Sequence, residues 1–338
     1  MADQDFRWGV LGCGVIANEM AQALQADGRH LAGVANRTLP KAEAFAERYG
    51  VETVYPSFEA MISDPAIDAV YITTPHNTHI NYLRQALAAK KHVLCEKAIT
   101  LNSEELDEAL ALAEENGVVL MDAMTIFHMP LYRELLRRLD TGEFGEVNVV
   151  TLNFGSYKDY DERNRFFNVN LAGGALLDIG VYALSLARLF VPGELVQLKS
   201  IMGQAPTGVD ERSAIIAQSE EGQLVSATLT LRSKQPKRAM VSCDKCYIEV
   251  MEYPRADEAK IVWTETGEVE LVQCGERPRA LAYEMADLER AVEDPAYGNQ
   301  LMAWTCDVMD TMTKLRREWR FFYPEEAEIR AALEAEEV

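Results

Sequence analysis

No uninterrupted apolar run in this chain approaches the ~18 residues that a membrane span requires, so no spanning helix is expected. Positive charge is scarce: 33 Lys and Arg stand against 54 Asp and Glu, a net of −21. Such a surface repels nucleic acid and anionic membrane at long range, so neither is expected as a partner. An anionic ligand would need a local positive site inside this field. Cysteine is sparse, six residues in 338, in a chain large enough to bury a core without staples, so reduced thiols are expected. One pair, Cys243 and Cys246, has CxxC spacing. No second pair accompanies it, and Asp244-Lys245 between the two reads as a hairpin turn, so no metal site is expected. The start, Met1 to Phe6, is acidic and polar rather than a secretory leader, and the expectation is a cytoplasmic protein. Internal repeats and flexible linkers are missing.

What is present is 48% apolar and 26% charged, a globular composition, and a length that suggests two domains. The first texture, residues 1–122, alternates short apolar runs with helical patterns. Strands read at Arg7 to Leu11, Leu31 to Ala35, Ala69 to Thr73, His92 to Cys95 and Val118 to Met121, with helices between them. Alternation of this kind predicts an α/β fold with a doubly wound parallel sheet, whose strand C-termini share one edge. Ser103 reads as an N-cap, and Gly50 and Gly117 as helix ends. The second texture, residues 123–338, is dominated by strand-like runs separated by turn signals, which predicts an α+β domain with a large, mainly antiparallel open sheet. One helix, about Leu176 to Phe190, interrupts it early. Helices at about Leu281 to Val292 and Gln300 to Trp319 follow and are candidates to pack back on the first domain; the tail, Glu325 to Val338, reads as a solvated helix.

The front motif carries the most chemistry. Gly12-Cys13-Gly14-Val15-Ile16-Ala17 is G-x-G-x-x-A at the first strand–helix junction. Gly12 permits a tight turn, Gly14 lets a pyrophosphate approach the backbone, and Ala17 lets the helix pack closely on the strand. The helix start then offers free N–H groups to phosphates. That context points to a dinucleotide. The second strand ends in Ala35-Asn36-Arg37-Thr38, with no carboxylate to repel a 2′-phosphate, which favours NADP over NAD; the alternative is a solvated Arg37 and a site that accepts both. Thr73, Thr74, Pro75 and His79 follow the third of these strands, and Glu96 and Lys97 the fourth, so all six are expected to line the cofactor crevice. Lys97 offers a positive charge and a proton to an oxygen undergoing reduction; a surface pair with Glu96 is the competing reading. Asp178 and Tyr182, four apart after Gly173-Gly174, share a helix face. A tyrosine beside an ammonium makes an acid–base couple, though the same spacing suits a core tyrosine.

The order of four segments resembles the Gfo/Idh/MocA family of oxidoreductases: the glycine motif, Thr74-Pro75 with His79, Glu96-Lys97, and Gly173-Gly174 through Asp178 to Tyr182. The resemblance implies a Rossmann domain holding a nicotinamide cofactor, and a second domain that binds substrate and forms a homodimer or higher homo-oligomer through its open sheet. It also implies that Lys97 touches the substrate oxygen, that Asp178 lies at the substrate, and that Tyr182 is the general acid, as in the branch that holds dihydrodiol dehydrogenase and glucose–fructose oxidoreductase. Met121 to Met124 and Phe127 to Pro130 also resemble that branch. Two departures stand out. Ala98 replaces the proline after Glu-Lys, which puts the unusual peptide geometry there in question, and Thr125-Ile126-Phe127-His128 stands where the branch has an aromatic and a basic substrate residue. Arg163, Arg165 and Phe166 precede the glycine pair and either face substrate or fix a loop. The expected activity is hydride transfer between nicotinamide and a hydroxyl or carbonyl carbon of a sugar, polyol or cyclic diol. The alternative is a catalytically silent, cofactor-binding sensor of the same fold, against which Lys97, Asp178 and Tyr182 argue.

Overall fold

The computed structural model describes residues 6–336; the polar start Met1 to Asp5 and the last two residues of the tail lie outside them. The chain divides into two compact units. One runs up to His128 and takes in Pro278–Ala303; the other comprises Met129–Arg277 and continues from Trp304.

The first unit is built on a parallel sheet of β1 (Trp8–Leu11), β2 (Gly33–Ala35), β3 (Thr53–Tyr55), β4 (Ala69–Ile72), β5 (His92–Glu96) and β6 (Leu120–Ala123), in the order β3-β2-β1-β4-β5-β6. Strand β1 sits beside both β2 and β4, so the strand order reverses there and a crevice opens at its C-terminal end. Buried residues recur at helical spacing in the connecting segments. They are Ala17, Met20, Ala21 and Leu24 in α1 (Val15–Ala26), and Ala42, Phe45, Ala46 and Tyr49 in α2 (Leu39–Tyr49). The short α3 (Phe58–Ile62) and α4 (His79–Ala88) follow. Asn102, not Ser103, caps α5 (Ser103–Asn116): its side chain accepts the Glu105 N–H at 2.9 Å, and Ser103 is the first helical residue. Gly50 and Gly117 end α2 and α5 in the left-handed region, at φ 67° and 65°. The short α6 (Thr125–His128) closes this part of the unit.

The second unit opens with α7 (Pro130–Asp140) and β7 (Val147–Gly155). A π-wound turn, Leu176–Gly180, runs directly into α8 (Val181–Phe190). Then come β8 (Leu195–Gln204), β9 (Asp210–Ser219), β10 (Leu224–Thr230), β11 (Gln235–Cys243), β12 (Cys246–Met251), β13 (Glu258–Trp263) and β14 (Val269–Gln273). They form one sheet in the order β14-β13-β12-β11-β7-β10-β9-β8, antiparallel except where β10 lies parallel to β7. Cys243 and Cys246 flank the β11–β12 hairpin turn, and all six cysteines are free thiols. In β9, burial alternates from Ser213 to Ala217, so one face of the sheet is a core. The stretch Val169–Phe190 is long and apolar enough to pass a test for a membrane span, but 78% of it is buried, as in a core helix.

Helix α9 (Ala280–Glu293) belongs to the first unit, so a boundary at 122/123 describes only the outgoing chain. Its Glu289 accepts from Trp8 Nε1 at 2.7 Å and pairs with Arg29. Helix α10 (Pro295–Glu318) passes from one unit to the other, and α11 (Ala327–Glu336) ends the described chain.

Candidate active site

In the first unit the site starts at the glycine turn. Gly12 has φ +107° and donates its N–H to Ala35 O at 2.9 Å. A Cβ there would come within 2.5 Å of Thr73 Oγ1, so its bareness serves contact with the loop after β4. Gly14 differs: among the described residues nothing lies within 4 Å of where its Cβ would be. Behind it, α1 starts with no side-chain cap and no acidic residue in its first turn, which leaves its N–H groups and positive end for an anion. Val15 is 75% exposed there, and Ile16 is half-buried. Asn18, which the sequence reading missed, donates to Gly14 O at 2.6 Å and accepts from Tyr49 OH at 2.8 Å, clamping the turn to α2. An amide in a first helical turn was the available signal.

Burial pushes the Cys13 thiol up to about 11, with the Lys41 ammonium pulling the other way. Lys41 therefore stands close to the glycine turn, an exposed cation that the sequence reading also missed. Arg37 and Thr38 are exposed after β2, and Asn36 donates to Thr38 O at 2.9 Å. A bare Gly14, an uncapped helix start and cations beyond β2 fit a dinucleotide.

The loops after β4 and β5 are joined by His79. It is fully buried, with Nδ1 3.0 Å from Ala98 O and Nε2 2.7 Å from Thr74 O. Burial holds its pKa below the ordinary imidazole value. A neutral ring has one N–H, so it donates to one of these carbonyls at a time. Its contacts are thus with Thr74 and the Lys97–Ala98 turn, where the peptide is cis although Ala98 stands in place of proline. Tyr71 OH donates to Glu96, while Lys97 is half-buried at the end of β5 and Pro75 is exposed. His128 is buried: Nδ1 is 2.7 Å from Asp287 of α9 and Nε2 is 3.0 Å from Asp122 O. It ties α6 to α9.

In the second unit, Asp178 and Tyr182 lie on one continuous helical stretch, Asp178 buried and Tyr182 half-buried. Arg165 pairs with Asp178 at 3.3 Å and stacks on Phe166, 4.3 Å from its ring centroid. Lys158 lies 4.4 Å from the same ring. Arg163 points elsewhere, to exposed Asp161 at 3.0 Å. The glycine pair is packed by protein: a Cβ on Gly173 would lie 2.7 Å from Arg165 O, and one on Gly174, at φ +128°, 2.1 Å from Asp210 Oδ1. The Tyr182 ring packs on Phe154 at 6.0 Å, and Phe154 packs on Tyr253. Tyr253, also missed from sequence, is fully buried, its hydroxyl pushed up by burial and by its neighbour Tyr182.

A Gly14 cradle at the C-terminal ends of a parallel sheet's strands defines the class: a dinucleotide-binding protein with a Rossmann domain. The signature of the "Oxidoreductase family, NAD-binding Rossmann fold" matches residues 6–124, and that of the "GFO/IDH/MocA C-terminal domain" residues 132–249. The chain belongs to the Gfo/Idh/MocA family. It is 32% identical over 275 residues to mouse trans-1,2-dihydrobenzene-1,2-diol dehydrogenase, covering 80% of this chain and 78% of that one. It is 33% identical over 216 residues to a Haloferax volcanii D-xylose 1-dehydrogenase (NADP(+)), covering 64% and 66%. Among solved structures, an aldose–aldose oxidoreductase from Caulobacter crescentus, complexed with glycerol, superposes with TM-score 0.82 at 22% identity over 95% of this chain and all of that one. A 3-ketoreductase from Actinomadura kijaniata, solved with NADP and TDP-benzene, gives TM-score 0.79 at 24% identity over 91% and 95%. These neighbours share the fold. A silent sensor finds no support, since the proteins named here are enzymes.

Proposed function

We propose that this chain interconverts an alcohol and a carbonyl on a sugar, polyol or cyclic diol, with NADP preferred to NAD. The observation that carries the reading is an open, uncapped helix start behind Gly14 in a chain that also carries Lys97, Asp178 and Tyr182. The names of its relatives, dehydrogenases of a dihydrodiol and of xylose, support the substrate class. The bound dinucleotide supplies or accepts the hydride. Gly12, Cys13, Gly14, Val15 and Ile16 would hold its pyrophosphate at the start of α1, with Asn36, Arg37 and Lys41 at the adenosine 2′-phosphate. Thr73, Thr74, Pro75 and Glu96 would border it, while His79 holds the Thr74 and Lys97 loops from beneath.

In the reducing direction Tyr182 donates the proton and Lys97 stabilises the developing oxyanion. Asp178 orients substrate, and the contact with Arg165 holds Asp178 in place. Arg165 and Phe166 border the substrate, while Arg163 fixes its loop. The protein acts in the cytosol, where its six thiols stay reduced, and works as a homodimer through the outer face of the second unit's sheet.

The test is reduced-nicotinamide absorbance during incubation with a panel of sugars, inositols and diols, using both cofactors. Tyr182→Phe and Lys97→Met are each expected to cut turnover by roughly two orders of magnitude or more with cofactor affinity retained. Near-normal rates in either variant remove that residue from the mechanism, and tight cofactor binding with no turnover of any compound overturns the reading.

A further inference from the structure

We propose that Asp210 is a positioning residue for this reaction: its buried carboxylate fixes the start of the helical stretch that carries Asp178 and Tyr182. This rests on the reading of Tyr182 as proton donor. Asp210 opens β9 and is fully buried. Its Oδ2 accepts the Leu176 N–H at 2.6 Å, two residues before Asp178 and six before Tyr182. Its Oδ1 has no hydrogen-bond partner among the described residues and fills the space beside Gly174, whose missing Cβ would otherwise sit 2.1 Å away. Gly174 is bare for this carboxylate.

The stretch it holds is not a uniform helix. Leu176–Gly180 is π-wound and Val181–Phe190 is α. A wide turn of that kind depends on what grips its ends, and π-turns recur at functional sites. At its start Asp210 grips the Leu176 N–H. Just before the turn, Tyr323 OH donates to Gly173 O at 2.8 Å. Behind them Arg316 makes two bonds to Glu326, at 2.6 and 2.7 Å, both residues buried.

The groups that act on the Asp210 carboxyl are Arg316 of α10 and, from the turn that follows it, Tyr323, with Glu326 paired to Arg316. Burial pushes the carboxyl up to about 7, against the backbone donors of Leu176 and Ala175 and the Arg316 charge. The closed structure therefore favours the neutral acid, and ionisation near neutral pH favours opening of the 173–182 segment, which lets water reach the carboxylate.

The test uses the full chain and D210N, which keeps the size of the side chain and removes the titration. Amide hydrogen exchange of the 173–182 segment is followed from pH 6 to 8.5, corrected for intrinsic rates. Protection in the native chain is expected to fall as pH passes about 7 and to be independent of pH in D210N. With the substrate found in the panel, D210N is expected to lose about tenfold in kcat, with KM and cofactor Kd within about twofold. In the native chain kcat is expected to fall along a limb near pH 7, and that limb should flatten in the variant. Protection that does not change with pH in the native chain overturns the proposal, and that measurement stands whether or not D210N folds. A D210N enzyme with native kcat and an intact limb, alongside an inactive Tyr182→Phe, overturns the positioning role alone. A fully active Tyr182→Phe removes the underlying reading instead, and exchange still reports whether Asp210 grips the helix start.

Discussion

At the scale of single residues, two glycine sites meet opposite surroundings. Gly14 was read as leaving room for a ligand, and space is there. Gly173-Gly174 stand before the helical stretch that carries Asp178 and Tyr182, and the atoms that approach them belong to Arg165, Phe166 and Asp210. The difference is legible in the first case because strand, turn and helix are contiguous. In the second the filling side chain lies 36 residues further along the chain, on another strand, which no local pattern announces. The same distance hides the energetic role of Asp210. Its folded pKa, about 7, lies above the ordinary carboxylate value. The native state therefore holds a proton that the unfolded chain has released, and its contribution to stability is complete below about pH 4 and lost as pH rises through about 7. Measured as thermal midpoint against pH, the native chain is expected to lose ground to D210N steadily across that window. Curves that stay parallel from pH 4 to 7.5 would show a carboxyl that titrates normally.

At the scale of elements, the pattern of the chain was most readable where one segment carries its own reason to exist. The strands of the first unit were continuous apolar runs, and Gly50 and Gly117 ended helices for a backbone reason visible in one letter. Strand β3 and helix α7 were missed. Thr53–Tyr55 is only three residues long and is held by pairing with β2, and Pro130–Asp140 follows a short helix with no turn signal between them. The placement of α9 was open from sequence, because it depends on pairs made at long range. One is His128 with Asp287, a buried contact at 2.7 Å in the segment where the chain departs from the branch it resembles. Here the imidazole serves the fold. Asp287→Ala leaves a fully buried ring nitrogen without its acceptor, and the expected loss is about 1–3 kcal/mol in urea unfolding. His128→Asn, which keeps a side-chain donor at the site, should lose less than His128→Leu. A destabilisation within about 0.5 kcal/mol for Asp287→Ala would reduce the pair to an incidental contact.

At the scale of the whole molecule, the net charge of −21 and the layout of the second sheet pull in different directions. Charge of one sign keeps copies apart in solution. Yet on the outer face of that sheet Ile216 is 61% exposed and pairs across strands with Lys199 and Ser226, and Leu271, equally exposed, pairs with Lys260. Val269 and Met251 stand exposed as well, on the outer strands. The registers place these side chains on one surface with Lys199, Arg238 and Lys260, and Glu249, between the last two, pairs with both of them. These apolar side chains stand among polar ones across an eight-stranded face. The alternation that creates the face was legible in the sequence as strand-like runs; that its second side lacks a cover among the described residues was not, since periodicity does not say on which side the helices pack. We expect sedimentation equilibrium to give a dimer whose association weakens when Ile216→Lys and Leu271→Lys are introduced together. Two added charges against a desolvated surface should raise the dimer dissociation constant by at least about a hundredfold, with secondary structure unchanged by circular dichroism. Salt gives the complementary reading. If like-charge repulsion between copies is the opposing term, moving from 0.05 to 0.5 M salt strengthens the native dimer. A native chain that sediments as a monomer at every concentration and salt would leave the exposed strand residues as a feature of the isolated subunit.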